Sequence, residues 1–255
     1  MTEPFEPTPP TPAAAPPAAP PAPVSERFVQ VFTAPARAMA AVAARPAWLV
    51  PALVIAILML LYTAVNMHIF MPEQTEAQLE HATGPQAEAL EKQLELYSDP
   101  PIWLRIVMGL GAGLGVVLFA ILVPAWVLHL FLRLSSGQGA ARQTIGVVCW
   151  AAIIPYVLRT VLSWVILVGT GSGRSAGLTA ASLLPDANPQ SVSYTIASLY
   201  GDPFMYWMLW VVVLGVSQVH RLPVSRSVIV VAATFALLSV FPIGFTLLGQ
   251  LFSQG

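Results

Sequence analysis

The chain has 255 residues, of which 56 % are hydrophobic and only 9 % charged, with a net charge of −1. A soluble domain carries about 25 % charged residues and could not hide so much apolar surface, so lipid is the expected solvent. The near-neutral balance without basic clusters leaves no nucleic-acid footprint, and the single cysteine, Cys149, excludes an intramolecular disulfide and any CxxC redox or metal motif.

Residues 1–24, MTEPFEPTPPTPAAAPPAAPPAPV, are dominated by proline and alanine. Proline has no N–H for helix or sheet, and little here can be buried, so a disordered, locally polyproline-II tail is expected. It reads either as a solvated spacer or as a docking segment for a proline-reading partner.

Over residues 25–45 the pattern changes. Ser25 can cap a helix, Phe28, Val31 and Phe32 share one face, and Pro35 suits the first turn of a second segment that carries Met39 and Val42 on the same stripe. Arg27, Arg37 and Arg45 flank the stripe. A kinked amphipathic helix on an anionic membrane surface is predicted, alongside a simple positive-inside anchoring role.

The stretch from Trp48 onward is uncharged for more than twenty residues, too long for the roughly 7–15 apolar residues of a cleaved export signal. It predicts a retained membrane anchor, the first of five spans at about 47–70, 102–132, 144–168, 203–219 and 224–251. The membrane domain then covers residues 46–252. The fold class is all-α, a polytopic membrane protein. Asp202 and Pro203 offer a cap and first turn to the short fourth span.

Between the first two spans, residues 71–101 predict two helical pieces broken at Gly84-Pro85. Leu90, Leu94 and Tyr97 share one face of the second piece and Glu88, Glu91 and Glu95 another. The stretch before the fourth span, LTAASLLPDANPQSVSYTIASLYGDPF, predicts interfacial structure that does not cross the bilayer.

Charge placement predicts orientation. Arg27, Arg37, Arg45, Arg133, Arg142, Arg221 and Arg226, seven of the eleven basic residues, precede the first span or lie in the second-to-third and fourth-to-fifth connections. The other connections hold most of the acids. The positive-inside rule then puts the N-terminus in the cytoplasm and Gly255 outside.

Candidate sites are few. Gly109, Gly111, Gly113 and Gly115 in GLGAGLG lack a nucleotide-loop spacing and a preceding strand, and form two small-xxx-small faces for helix packing. Arg159 lies inside the third span with Tyr156, Thr160 and Ser163 three or four positions away, a candidate intramembrane polar site. It reads as a structural clamp, with Asp202 or Asp99 as partner, or as a site for an anionic solute or lipid headgroup. His68, His81, His129 and His220 are scattered. His68 and His129, with Asn66, fit interface anchoring, while Glu76, Glu80 and His81 read as a solvated acidic face rather than a cation site. No catalytic residue, cofactor site or metal site is identified. Pro124, Pro155 and Pro242 are expected to bend their spans.

Four stretches in order carry a family resemblance: VFTAPARAMAAVAARPAWLVPAL, GVVCWAAIIPYVLRTVL, LTAASLLPDANP and DPFMYWMLWVVVLGVSQVHRLPVSRSVIVVAATF. A Val-Phe start closely followed by proline, a proline in the third span and an aspartate-aromatic-tryptophan entry to the fourth resemble the bacterial branch of the Yip1 family over roughly residues 28–250. No DLYGPFW-like string of the eukaryotic branch precedes the first span. The resemblance implies five spans with a cytoplasmic N-terminus, and eukaryotic relatives that act in vesicle trafficking and membrane shaping through protein partners and self-association. It supplies no catalytic residues. The expectation is a non-enzymatic protein of a bacterial inner membrane that organises membrane or recruits a protein partner through its N-terminal region, with the bilayer and a second copy of itself as further partners. The alternative is a small-solute or lipid transporter or channel using the polar seam around Arg159.

Overall fold

The computed structural model describes residues 23–80, 82–171, 177–184 and 191–253. All but the last two residues of the proline-rich tail, and His81, Arg174 and Asp186 with it, lie outside the described residues. The chain is helical, and no strand occurs among the described residues. Five helices are long and apolar enough to cross a membrane: Leu49–Ile69, Ile102–Leu134, Ala141–Thr170, Pro203–His220 and Val224–Gln250. The boundaries expected from hydropathy lie within three residues of these.

In chain order the elements are α1 (Val24–Thr33), α2 (Pro35–Ala44), α3 (Leu49–Leu79), α4 (Pro85–Ser98), α5 (Ile102–Leu134), α6 (Ala141–Thr170), α7 (Val192–Tyr200), α8 (Pro203–His220) and α9 (Val224–Ser253). A 3-10 turn at Ala180–Leu183 precedes α7. The end of the bundle that carries α1 and α2 is called the near end below, and the end that carries α4 the far end.

The core is an apolar cluster among α1, α2, α3, α5, α6, α8 and α9, in which Trp150, Ile153, Ile154 and Val216 are fully buried. α3 and α5 pack backbone against backbone. A Cβ at Gly109 would lie 2.8 Å from the carbonyl oxygen of Leu60, and one at Gly113 only 2.5 Å from that of Ala56. Small residues permit such backbone contact, which supplies dispersion where lipid offers no hydrophobic contrast. A Cβ at Gly111 or Gly115 would meet nothing within 4 Å. The GLGAGLG run therefore has one packed face, Gly109/Gly113, and one open face.

Two spans depart from α geometry. In α5 the residues Val116–Leu122 form π turns, and the N–H of Val123 donates to the carbonyl of Leu118, five residues back. In α6 the residues Ile154–Leu158 do the same, with the N–H of Arg159 donating to Ile154. Pro124 and Pro155 stand in or beside these segments, where a missing donor makes the wider turn the available compensation. Pro242 lies within α9, which stays helical throughout.

The segment expected as a kinked amphipathic helix over residues 25–45 is two helices that meet at Ala34, with Pro35 opening the second, and its stripe is covered by protein rather than left for lipid. α1 starts at Val24 with Pro23, not Ser25, at the cap position. Val31, Ala38, Met39 and Val42 are fully buried. Phe28 meets the edge of Trp150 at 5.0 Å and Phe32 that of Trp207 at 6.0 Å. Two glycines make room for α2. A Cβ on Gly215 would stand 3.0 Å from the Met39 sulfur, and one on Gly146 would stand 3.2 Å from Val42 and from Pro46.

At the far end, α4 turns back at Gly84, whose φ of 60° favours glycine, and lays Leu90 against α3 with Glu88, Glu91 and Glu95 exposed. α7 descends beside α9, Thr195 meeting Thr246 at 3.1 Å and Tyr200 meeting Phe235 at 5.7 Å. After a break at Gly201-Asp202 the chain resumes as α8. The short fourth span is thus preceded by a helix that already lies alongside the bundle.

Candidate functional site

Arg159 and Asp202 meet because the two helices put them at one height. Arg159 is 18 residues from the near-end start of α6 and Asp202 is 18 residues from His220 at the near end of α8. At about 1.5 Å per residue both stand roughly 27 Å above that end. The guanidinium Nη1 donates to Asp202 Oδ2. Asp202 is buried at 2 % side-chain exposure, and the Arg159 side chain is 29 % exposed. The other carboxylate oxygen, Oδ1, caps α8 by accepting from the N–H groups of Phe204 at 2.9 Å and Met205 at 3.3 Å. One carboxylate is therefore satisfied by a cation on one side and a helix N-terminus on the other. Asp99, the other candidate partner, faces Arg105 at 3.8 Å instead.

Of the remaining seam residues, Tyr156 falls in the π segment of α6, Thr160 is buried and Ser163 half-buried. No hydrogen bond joins any of them to Arg159 among the described residues. The π turn shifts Tyr156 off the register that regular α spacing predicts.

A second polar cluster closes the near end. His129 of α5, Thr144 of α6 and His220 of α8 form a hydrogen-bonded chain, with Thr144 Oγ1 3.1 Å from His129 Nδ1 and 2.8 Å from His220 Nε2. The N–H of Gly139 donates to His220 Nδ1 at 3.2 Å. That donation leaves Nδ1 as an acceptor, so the neutral ring carries its proton on Nε2 and donates to Thr144, whose hydroxyl donates on to His129. The direction of the whole chain follows from one backbone N–H. Gly137 and Gly139 are required here: a Cβ at Gly137 would lie 2.6 Å from His220 Nδ1, and one at Gly139 would lie 2.4 Å from Val219.

His129, expected as an interface anchor, is half-buried and joins through Thr144 to the buried His220, although the histidines are scattered in the sequence. Asn66 also turns inward, donating to the carbonyl of Tyr62 at 2.8 Å, whereas His68 is exposed. No local spacing in the sequence points to this cluster, since 81 residues separate Gly139 from His220.

The hairpin of α1 and α2 is fastened to the same end. Gln143 donates to the carbonyl of Ala43 at 2.9 Å, Gln218 to that of Ala36 at 3.2 Å and the Trp150 indole to that of Ala47 at 3.1 Å. Arg27, 4 % exposed, donates to the carbonyl of Arg45 at 3.1 Å and ties the start of α1 to the end of α2. Burial, with the Arg45 charge nearby, pulls its pKa below the ordinary arginine value. Arg37, Arg45 and Val29 remain exposed on the outer side of the hairpin.

Five apolar spans, packed through glycines and held by one recessed ion pair, define a multi-pass helical membrane protein. The Yip1 domain matches residues 29–246, and the chain belongs to the Yip1 family. No curated protein and no solved structure matches the chain. Among the described residues no group of three His, Cys, Asp or Glu is placed to hold a metal ion.

Proposed function

We propose that the chain is a non-enzymatic protein of a bacterial inner membrane that organises membrane or recruits protein partners through its N-terminal region. Its N-terminus is cytoplasmic and its C-terminus lies outside. The observation that carries this reading is the docked hairpin. α2 is held by two side-chain hydrogen bonds, the link after it by a third from Trp150 to Ala47, and α1 by two aromatic contacts, so the hairpin is a fixed platform. The exposed Arg37 and Arg45 suit an anionic headgroup layer beside that platform. A second copy of the chain is a further partner under the same reading. The alternative, transport of a small solute or lipid along the seam at Arg159, has the Asp202 contact against it, because the cation is already neutralised.

The informative deletion is residues 1–22 alone, since a longer one strips α2 from Gly146 and Gly215 and unsettles the bundle. In native lipid particles the full chain should retain a stoichiometric protein partner that the deleted chain loses at unchanged thermal stability. Identical co-purifying proteins for both, and for Val29→Asp on the outer face of the hairpin, would overturn the proposal.

A further inference from the structure

The π turns of α5 and α6 face one place inside the bundle, together with α7, α8 and α9. The π turn of α5 contributes Phe119, the proline after it is Pro124, the π turn of α6 contributes Tyr156, the end of α7 contributes Leu199, the start of α8 Met205, and α9 Pro242. Between them lies a cavity of about 530 Å³, within the roughly 300–1,000 Å³ range of ligand sites. Non-α backbone at membrane depth is tolerated where it lines a cavity, and π turns concentrate at functional sites.

The chemistry of the lining selects the occupant. Two of its hydroxyls are already spent on their own helix, Thr234 donating to Val230 and Ser239 to Phe235, each at 2.8 Å. A water needs two to four polar partners, and this wall offers it almost none. Left empty, the lining would lose its dispersion contacts on one side. The mouth is continuous with the lipid-facing surface: Phe119, Phe241 and Phe245 are 73 %, 62 % and 72 % exposed. What stands at that mouth in a bilayer is hydrocarbon.

We infer that the cavity between α5, α6, α8 and α9 is a binding site for one acyl chain of a membrane phospholipid, taken in sideways between α5 and α9. Arg159 and Asp202 are not in its lining, although Tyr156 of the seam and Met205, whose N–H donates to Asp202, are; the site is independent of the role proposed for the N-terminal region. The chain leaves the bilayer laterally, past Phe119 and Phe241, and lies along Met208 and Leu128 toward Val148.

The test uses the full-length protein in bilayers that contain a phospholipid with a photoactivatable diazirine in its acyl chain, with adducts mapped by mass spectrometry. Adducts are expected at the inner wall, on Met208 and Val148, besides those on outward positions such as Val107 and Val165. The filling variants Ala120→Phe and Ser239→Phe, on opposite walls, should each lose the inner adducts and keep the outward ones. Wild-type protein labelled only on outward positions would overturn the site, whether or not either variant folds. Inner adducts that persist in a folded filling variant would also overturn it.

Discussion

Asp202 serves two helices at once, ending α8 with one oxygen and holding Arg159 of α6 with the other. The consequences of changing either partner are therefore unequal. Arg159→Met strands a buried carboxylate and should cost about 2 kcal/mol, less than the roughly 3–5 kcal/mol of a fully buried pair because the arginine is 29 % exposed. Asp202→Asn on the same background keeps a capping oxygen and removes the stranded charge, so the double variant should recover most of that loss. Thermal unfolding in lipid nanodiscs measures both, and a double variant no more stable than Arg159→Met would contradict the clamp. The partner was legible in the sequence as one of two aspartates, because a cation in a span must find an anion of matching depth. Choosing between Asp202 and Asp99 required the equal heights of α6 and α8. The His129–Thr144–His220 chain was not legible at all, since no local spacing links its three members.

At the level of elements, small residues decide where backbones meet. Gly113→Val would drive a methyl group into the Ala56 carbonyl and should destabilise the α3–α5 contact by about 1–3 kcal/mol. Gly111→Val, two residues away, points into open space and should leave the unfolding temperature unchanged. Equal effects from both would mean that the GLGAGLG run packs differently from the arrangement described. Here the sequence was informative about the kind of contact but silent about which of its two faces makes it, because both satisfy the same spacing. For α2 the same ambiguity ran the other way. An apolar stripe flanked by arginines looks identical whether it meets lipid or protein, and only Gly146 and Gly215, far along the chain, settle the matter. The π turns were likewise hidden: proline marks a disturbed helix, but whether the chain kinks or widens depends on its neighbours.

For the molecule as a whole, the five spans were readable from hydropathy because a bilayer demands about 20 apolar residues and permits no exposed backbone. Sidedness is a separate question with its own measurement. Cys149 is buried, so a cysteine introduced elsewhere supplies the reactive thiol. Gln138→Cys, in the near-end connection, should react with a membrane-impermeant maleimide only after the cells are opened. Ser98→Cys, at the end of α4, should react in intact cells. Both are exposed positions, and the reverse pattern would invert the assigned orientation.

The length of α3 has one more consequence. Its 31 residues run unbroken from Leu49 to Leu79, and the last ten extend past the spanning part at Ile69, an overhang of about 15 Å. α4 packs along α3. Any tilt of α3 inside the bilayer is thereby magnified into a sideways swing of the acidic face that carries Glu88, Glu91 and Glu95. The overhang is a lever arm, and it turns an angle hidden among lipids into a distance that can be read in water.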